Sequence, residues 1–454
     1  MMIKKPIDKK EGKLMKKIIT IFLLIALLLP ACLGCSKTDT TPSTESFNLP
    51  DTVSDTLKVG YGRADITPKE SVPLRGYGNT SKRLSISVSD PLYATCIAFT
   101  DANDSTVLLY HTDLAVIWAE IFDPIKEEIS KATGVPVPNI MISATHTHSA
   151  PDLVNDQIRT VAPYIETLDE LFIQAATDAM ADRKIADMFV TSTMTQGVNF
   201  CRHYKLADGS FKDYNNSRKN KESIVDYQCE ADAEMQFVKF VREGKKDIWL
   251  VNYQTHPHRA GGSQETNITA DIVGTMRIAM ERELDCNFAY FTGASGNVNP
   301  WSLIDKDEVT TDYIEQGELM AQYAIDAVPN FKQVPVGSVQ ILGTIYKGKT
   351  QDDTGTPPDA PIYAFSIGDV GFITAPYEMF NANGLFIKEN SPFETTFVVT
   401  CANDRLAYIP SQDAYAYDGV ETYEGASCRF ANGTGEILAD KYVEMLKLLY
   451  EARD

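Results

Sequence analysis

Positive charge is scarce in this chain. Its 454 residues carry 42 lysines and arginines against 62 aspartates and glutamates, which gives a formal net charge of -20. No basic run of any length is present. Because the phosphates of a nucleic acid and an anionic membrane surface both require a basic patch, the charge argues against either as the main partner. It favours a small or neutral one.

Closely spaced cysteines are also missing from the body of the chain. The six cysteines beyond residue 35 are Cys96, Cys201, Cys229, Cys286, Cys401 and Cys428. Their spacing excludes a Cys-x-x-Cys zinc or redox motif, and a chain of this size does not need disulfides to make up for a small core. We expect mostly buried thiols, with one disulfide at most.

Long apolar runs are lacking except near the N-terminus. There two lysines precede Ile18 to Leu29, which is too short to span a membrane comfortably but fits the core of a signal peptide. Cys32 and Cys35 follow, each in a context similar to the bacterial lipobox. We expect a lipoprotein signal peptide over 1–35 and a disordered tether over 36–56, with the protein anchored by an N-terminal lipid in the bacterial cell envelope. An ordinary secretory signal is the alternative.

Histidine is rare, yet four of the six histidines form two pairs of identical spacing, His146-Thr147-His148 and His256-Pro257-His258. Each pair follows a short apolar run that predicts a buried strand, Asn139 to Ala144 and Asp247 to Tyr253. Side chains at i and i+2 of a strand project to the same face, so each pair can offer two imidazoles to one point. Because open α/β sheets bind ligands at the carboxyl ends of their strands, two such pairs favour a metal site over structural histidines.

Strands and helices alternate in the pattern from Leu57 onward. Two hairpins are predicted, one at 94–100 and 106–112 and one at 362–367 and 370–375. Helical periodicity covers 121–133, 165–181, 270–283, 311–327 and 435–451. We expect an α/β fold with mixed β-sheets flanked by helices, in a single large catalytic domain over 57–454.

A series of motifs runs through this region in order: Val59 to Pro68, Leu74 to Gly78, Ser143 to Pro151, Phe291 to Pro300, and Tyr408 to Pro410 with Tyr423 to Ser427. In content and order the series resembles the neutral/alkaline (non-lysosomal) ceramidase family. The resemblance covers the chain from about Val59 to its C-terminus. It implies the N-terminal catalytic domain of that family, without the Ig-like C-terminal domain of its longer members.

What the resemblance implies is one zinc ion held by His146, His256, Glu378 and Tyr408, matched motif by motif. Imidazole and carboxylate are ordinary zinc ligands, and zinc lowers the pKa of a bound water to about 7. Taken without the family, Glu378 is a carboxylate at a helix terminus. Tyr408 is then one packed aromatic among 21 tyrosines.

Three further residues are expected at the reaction centre. His148 is expected to hold the carbonyl oxygen or to move a proton, and Tyr423 to hydrogen-bond the developing oxyanion. Arg202 is expected to contact substrate, with a solvated surface position beside His203 as the alternative.

Two aspartates are candidates for orienting the ligands. Asp113 follows a predicted strand, and Asp271 opens a predicted helix. Such groups orient a metal ligand by a hydrogen bond to the side of it that faces away from the metal. N-capping alone would also explain Asp271.

The nucleophile position departs from the family. Aligning Gly296-Asn297-Val298-Asn299-Pro300 on the family segment places Gly293 where the ceramidases carry a catalytic serine, and Ser295 lies two residues away. The local sequence is no Gly-x-Ser-x-Gly elbow either. We therefore expect a ceramidase-like, zinc-dependent hydrolase of an amide (N-acyl) bond in a small-molecule or lipid-like substrate, with zinc-activated water as the nucleophile.

Two other functions stay open at this point. A His-x-His pair also marks a strand end in amidohydrolase barrels, which would use later lone histidines and an aspartate as ligands, in place of Glu378 and Tyr408. A non-catalytic envelope lipoprotein that binds lipid or glycan is the second, and the missing serine favours it. Zinc content and turnover of a generic N-acyl substrate separate this second function from the two enzymatic ones.

Overall fold

The fold was analysed in a computed structural model that describes residues 55–77, 83–154, 161–262, 265–304, 307–350, 358–416 and 427–453. In chain order its strands are β1 (Leu57–Asp65), β2 (Ser87–Val88), β3 (Tyr93–Asp101), β4 (Thr106–Thr112), β5 (Ile140–Ala144), β6 (Lys184–Met194), β7 (Phe200–Cys201), β8 (His203–Leu206), β9 (Phe211–Asp213), β10 (Ile224–Tyr227), β11 (Glu234–Arg242), β12 (Ile248–Tyr253), β13 (Asn267–Ile268), β14 (Asn287–Thr292), β15 (Val298–Asn299), β16 (Lys332–Val334), β17 (Val339–Tyr346), β18 (Ala360–Ile367), β19 (Val370–Thr374), β20 (Glu378–Met379), β21 (Thr395–Val399) and β22 (Tyr408–Ile409).

The α-helices are α1 (Ala119–Thr133), α2 (Val161–Asp182), α3 (Tyr214–Ser217), α4 (Asp271–Leu284), α5 (Tyr313–Ala327), α6 (Asn381–Asn390) and α7 (Thr434–Glu451). Short 3-10 turns lie at Val137–Asn139, Arg218–Ser223, Val328–Asn330 and Gln412–Ala416.

Capping interactions set two of the helix ends. The Asp312 carboxylate accepts the backbone N–H groups of Ile314 and Glu315 at the start of α5, and Gly134 ends α1 in the left-handed region, with φ 76°. None of the helices in the described ranges is long and apolar enough to cross a membrane.

The largest sheet has the strand order β14-β12-β11-β6-β1-β3-β4-β5, with β16 paired to β6. Its inner pairs are antiparallel, while β4–β5 and β12–β14 are parallel. Parallel strands end at the same edge, so the loops after β4 and β5 are neighbours, as are the loops after β12 and β14. The two pairs of loops meet where the Thr292 hydroxyl, at the end of β14, donates to the carbonyl oxygen of Thr145 at 2.7 Å. These loops carry both histidine pairs.

A second sheet, with the order β17-β18-β19-β21, packs face to face on the first. Phe99 and Phe291 of the large sheet share one apolar core with Phe365, Phe372 and Phe397 of the second. Along β3 the side chains alternate between this core and the opposite face, as the two-residue period of a strand requires. Two buried sheet faces explain why the strands read as nearly continuous apolar runs.

Helices cover the outer faces of both sheets. Helices α1 and α2 pack on one half of the large sheet, and α4 and α5 on the other. The second sheet is covered by α6 and α7. The result is a layered order of helices, sheet, sheet and helices, each layer burying the apolar face of the next.

The predicted α/β class with mixed sheets is confirmed, and both hairpins and all five predicted helices are present. A helix was also expected near Met379, and α6 begins at Asn381. Its bounds were not predicted, because its sequence, Asn381–Asn390, is rich in asparagine and has little apolar periodicity. The described sheets are open, which overturns the amidohydrolase-barrel alternative. The signal peptide, the lipobox cysteines and the tether up to residue 54 lie outside the described residues.

Candidate metal centre and its cavity

His146 lies two residues beyond the end of β5, in irregular backbone. It has φ 70°, a conformation that costs free energy for a residue with a Cβ and that often marks a functional site. Its Nδ1 atom lies 2.5 Å from the carbonyl oxygen of Ala115, and its backbone N–H donates to Leu114 at 3.0 Å. Since a carbonyl only accepts, the Nδ1 atom carries the proton and Nε2 presents a lone pair.

His256 is held in the same manner from the other parallel pair. It follows β12 by three residues, and its Nδ1 atom donates to the carbonyl oxygen of Ser295 at 2.9 Å. Ser295 belongs to the loop after β14, the strand parallel to β12. This contact again leaves the Nε2 lone pair free to face inward.

The two lone pairs point at each other. The Nε2 atoms of His146 and His256 are 3.0 Å apart, and the Oε2 atom of Glu378 lies 3.3 Å and 3.5 Å from them. This Oε2 atom is buried and has no hydrogen-bond partner among the described residues. Three electron-rich atoms this close repel one another unless a cation lies between them. Ligands about 2.0–2.1 Å from a tetrahedral zinc lie roughly 3.3 Å from each other, so the donor set fits a metal ion.

The electrostatics agree with a cation site. Burial raises the pKa of Glu378, but His146, His256 and a hydrogen bond from Tyr408 outweigh it and hold that pKa far below its usual range. Burial and the neighbouring His146 lower the pKa of His256 to about 3. Burial also lowers the pKa of His146, but Cys401 and Glu378 raise it well above normal in the absence of an ion. The carboxylate thus attracts positive charge to this point, where a metal competes with a proton.

His148 lies beside this cluster. Its Nε2 atom is 3.4 Å from that of His146. Within the described residues, His146, His148 and His256 form a group whose ring nitrogens are close enough together to hold a metal ion. Burial lowers the pKa of His148 well below normal, so the ring is neutral. The carbonyl oxygen of His148 accepts a hydrogen bond from Arg83 at 3.0 Å. The Nδ1 atom of His148 has no hydrogen-bond partner in the described part of the chain.

A cavity of about 570 Å³ opens above the cluster. His148 and Tyr408 lie in its wall next to the metal centre, and Arg202 lies over the Tyr408 ring at 5.1 Å. His258 and Trp301 form another part of the wall, stacked with centroids 4.1 Å apart. The cavity gives a substrate access to the buried ligand atoms.

The structure brings His146, His256 and Glu378 together, although they lie far apart in sequence. Tyr408 is paired with Glu378 between β20 and β22, so Glu378 starts a short strand that directly precedes Phe380, the N-cap of α6. Arg202 is 8% exposed and His203 is fully buried, so a solvated surface position for the pair is wrong. Tyr423 lies outside the described residues. The roles of these residues as ligands and catalytic groups remain predictions.

The prediction that each histidine pair shares one face of a strand is wrong. Both pairs follow their strands, and the positive φ of His146, not a strand pleat, brings His146 and His148 to one point. His258 lies outside the group of three histidines spaced to hold a metal, and its ring stacks on Trp301.

The assignment of Gly293 to the nucleophile position is also wrong. A side chain at 293 would overlap Gln254, which does not line the cavity. Asn299 is the residue of this segment whose side chain lies in the cavity wall, and it is 2% exposed. Sequence reasoning missed Asn299 and Trp301; their place directly after Gly296-Asn297-Val298 was the available signal.

Of the two candidate positioning aspartates, Asp271 binds the segment that follows His258. It is the first residue of α4, with φ 60°, and not the N-cap that was expected. Its carboxylate accepts the backbone N–H groups of Arg259 and Ala260, which directly follow His258. Asp113 instead pairs with Arg277 at 2.6 Å and with His111 at 3.2 Å.

Comparison with known proteins identifies the family. The family model "Neutral/alkaline non-lysosomal ceramidase, N-terminal" matches residues 57–337. The chain is 26% identical over 250 residues to a neutral ceramidase of Drosophila pseudoobscura pseudoobscura and 26% identical over 251 residues to one of Drosophila melanogaster. Each alignment covers 52% of this chain and 33% of the relative, so the match spans about a third of those proteins' length.

The fold is similar to that of a solved enzyme. The crystal structure of neutral ceramidase from Pseudomonas aeruginosa superposes with a TM-score of 0.70, covering 88% of this chain and 75% of that one. The sequence identity is 17%, so the likeness concerns the fold.

Proposed function

Because the chain belongs to the neutral/alkaline non-lysosomal ceramidase family, we propose that it is a zinc-dependent hydrolase that cleaves an amide (N-acyl) bond with an activated water molecule as nucleophile. One observation carries the proposal. The Nε2 lone pairs of His146 and His256 and the unpartnered Oε2 atom of Glu378 converge, all within 3.5 Å of one another, beside a cavity that admits a substrate.

His146, His256 and Glu378 are the residues that would hold the zinc ion, with Tyr408 as the fourth ligand that the family implies. A zinc ion supplies Lewis acidity to an acyl carbonyl and lowers the pKa of water to about 7. Tyr408 also hydrogen-bonds the Glu378 carboxylate and so helps to fix its orientation.

His148 is the residue placed to move protons. Its neutral ring lies between the ligand atoms and the cavity, so it can accept a proton from the attacking water and return it to the leaving amine. The Arg202 guanidinium lies in the same wall, where it is available to a carbonyl oxygen of the substrate. Tyr423 is carried over from the family as a donor to the oxyanion.

The N-terminal sequence supports a location for this activity. The apolar run followed by Cys32 and Cys35 favours export and lipid anchoring in the cell envelope, facing the periplasm or the outside. Labelling with a radioactive fatty acid, compared between the natural chain and a Cys32→Ala, Cys35→Ala double variant, tests that anchoring.

The function is tested by measuring zinc content and amide hydrolysis on the same sample. We expect about one zinc per chain and release of a free amine from a generic N-acyl substrate; chelation should abolish the activity and added zinc should restore it. A protein that holds zinc but cleaves no amide or ester would support the non-catalytic lipoprotein. Full activity without any metal would refute the proposed mechanism.

A further inference from the structure

The cavity above the metal centre has an unusual wall for a protein that acts on a lipid. Among the described residues its lining consists of glycines, aromatic rings, histidines, arginines, asparagines and an aspartate, without one aliphatic side chain. Ligand cavities are ordinarily lined mostly by apolar side chains with a few polar groups. Here aromatic rings provide the apolar part of the wall, between charged and amide side chains.

An alkyl chain would gain little by entering such a site. Each methylene that leaves water for apolar surroundings contributes about 0.8 kcal/mol, but only when the surroundings are apolar. Here the chain would displace water from the exposed Asn215 and Arg218 without offering them hydrogen bonds. Desolvating these polar groups offsets part of what the methylenes gain.

The wall suits a ring that carries hydroxyl groups. Tyr77, Tyr214 and Trp301 are partly exposed and present aromatic rings, against which the C–H face of a sugar packs. Asn299 Oδ1 and Trp301 Nε1 are an acceptor and a donor without partners in the described residues. A hydroxyl group donates and accepts, so it serves both kinds of group.

We propose that the substrate is an N-acylated amino sugar with a short acyl group, rather than an amide that bears long alkyl chains. This inference rests on the proposed amide hydrolase function. Its sugar ring occupies the wall formed by Trp301, Tyr214 and Asn299, and its acyl carbonyl faces His148 and the metal ligands.

The test uses four amides in a two-by-two design: N-acetyl and N-octanoyl derivatives of glucosamine and of sphingosine. We expect kcat/KM for N-acetylglucosamine to exceed that for both sphingosine amides by at least about tenfold, and to fall when the acyl group is lengthened. A higher kcat/KM for either sphingosine amide overturns the substrate assignment and leaves the hydrolase function standing. If none of the four is cleaved, the hydrolase function itself fails, and the assignment fails with it.

A variant of the wall adds a separate readout. Trp301→Ala should raise KM for the sugar amide on the order of tenfold with a smaller change in kcat, because the ring binds the carrier and not the reacting bond. Trp301→Phe, which keeps a ring in place, should lie between the two proteins. Trp118→Phe is the matched control, since Trp118 is also partly exposed, also has an unpartnered Nε1 atom, and lies outside the described cavity wall. An unchanged KM in Trp301→Ala contradicts the proposal.

A second site is independent of the substrate. The Sγ atoms of Cys201 and Cys229 lie 3.0 Å apart, whereas both residues are free thiols in the structure. They flank the junction at which Gln228 donates its backbone N–H to His203, extending the β8–β10 ladder. Arg202, in the cavity wall, is the next residue after Cys201.

We infer that Cys201 and Cys229 form a disulfide when the protein meets a disulfide oxidant such as oxidised glutathione. The partly exposed Cys229 attacks the oxidant and releases one glutathione thiol; Cys201 then attacks the mixed disulfide and releases the second. Two protein thiols are oxidised and one glutathione disulfide is reduced. A disulfide has an S–S length of about 2.05 Å, so the sulfurs need to approach by roughly 1 Å.

Tryptic digestion without reduction tests this bond, because it would link peptides 185–202 and 222–239. After treatment with oxidised glutathione we expect the linked pair and a Tm on the order of 4 °C higher than that of the reduced protein. Cys229→Ser should abolish both changes, and Cys286→Ala, which alters a buried cysteine elsewhere, should preserve both. Recovery of both peptides unlinked and fully alkylated from oxidised natural protein overturns the inference.

Discussion

The Nε2 atoms of His146 and His256 lie 3.0 Å apart while the Nδ1 atom of each ring faces a backbone carbonyl oxygen, that of Ala115 and that of Ser295. The carbonyls hold a proton on each Nδ1 atom, so in the neutral rings both Nε2 atoms are acceptors and neither can donate to the other. Glu378 adds a carboxylate oxygen to the same point. This arrangement of buried acceptor atoms is unfavourable by itself and becomes favourable when a cation is bound.

Removing either ring should remove the metal. His146→Ala and His256→Ala each delete one donor and leave too few ligands for tight binding, so both should lose zinc and activity. His258→Ala is the matched control, because its ring stacks on Trp301 instead of facing the ligand atoms. Metal analysis of the three purified variants decides it; zinc retained by His146→Ala at full stoichiometry would show that the site lies elsewhere.

The nucleophile can be identified from a pair of variants. Ser295 contributes a carbonyl to His256, but its side chain has no place in the cavity wall, so Ser295→Ala should keep turnover within about a few fold. His148→Ala should retain zinc and lose on the order of 10²-fold or more in kcat, the usual scale for one acid/base group. An inactive, zinc-loaded Ser295→Ala protein would instead indicate a serine nucleophile.

Gly76 should tolerate no side chain. It has φ 118°, and a Cβ there would overlap the Cβ of His148. Gly76→Ala should therefore displace His148 and lower kcat by about tenfold or more, with zinc content unchanged. Gly209→Ala provides the control, since Gly209 has φ 86° but no atom within 4 Å of the added carbon. Its cost is limited to backbone strain of about 1–2 kcal/mol in the free energy of unfolding. Equal activity losses in the two variants would point to strain alone.

Asp113 should make the protein sensitive to acid. Burial raises its pKa, but Arg277 and His111 outweigh burial and lower it from 3.8 to about 2. A depressed pKa stabilises the fold above the ordinary value, by about 2 kcal/mol here, and this stability is lost as the pH falls toward 2.

The matching variant is Asp113→Asn, which removes the nearer of the two carboxylates beside the buried Arg277 and leaves Asp90 at 4.0 Å, so it should cost up to about 3 kcal/mol at neutral pH. The difference in unfolding free energy between the natural protein and the variant should shrink between about pH 5 and pH 2. Denaturant titrations across that range measure it. A difference that stays constant with pH would mean that the carboxylate does not carry this effect.

Much of the fold and part of the site followed from the sequence. The hairpins, most helices and the strands before the two histidine pairs could be predicted, because periodicity and turn residues depend only on neighbouring positions in the sequence. The bounds of helix α6 could not be predicted, since packing and not propensity forms it. The ordered motifs brought His146, His256 and Glu378 into one hypothesis, although no local rule relates positions so far apart.

The sequence by itself determined the residue types available for a metal site and the strand ends at which they stand. Only the tertiary structure decided which atoms meet. It fixed the tautomers through Ala115 and Ser295, turned His258 toward Trp301, and placed Asn299 in the cavity wall where the alignment had suggested Gly293. These outcomes depend on loop conformation, above all the left-handed backbone at His146, and on contacts between distant segments. Such contacts are set by the packing of the two sheets and not by spacing along the chain.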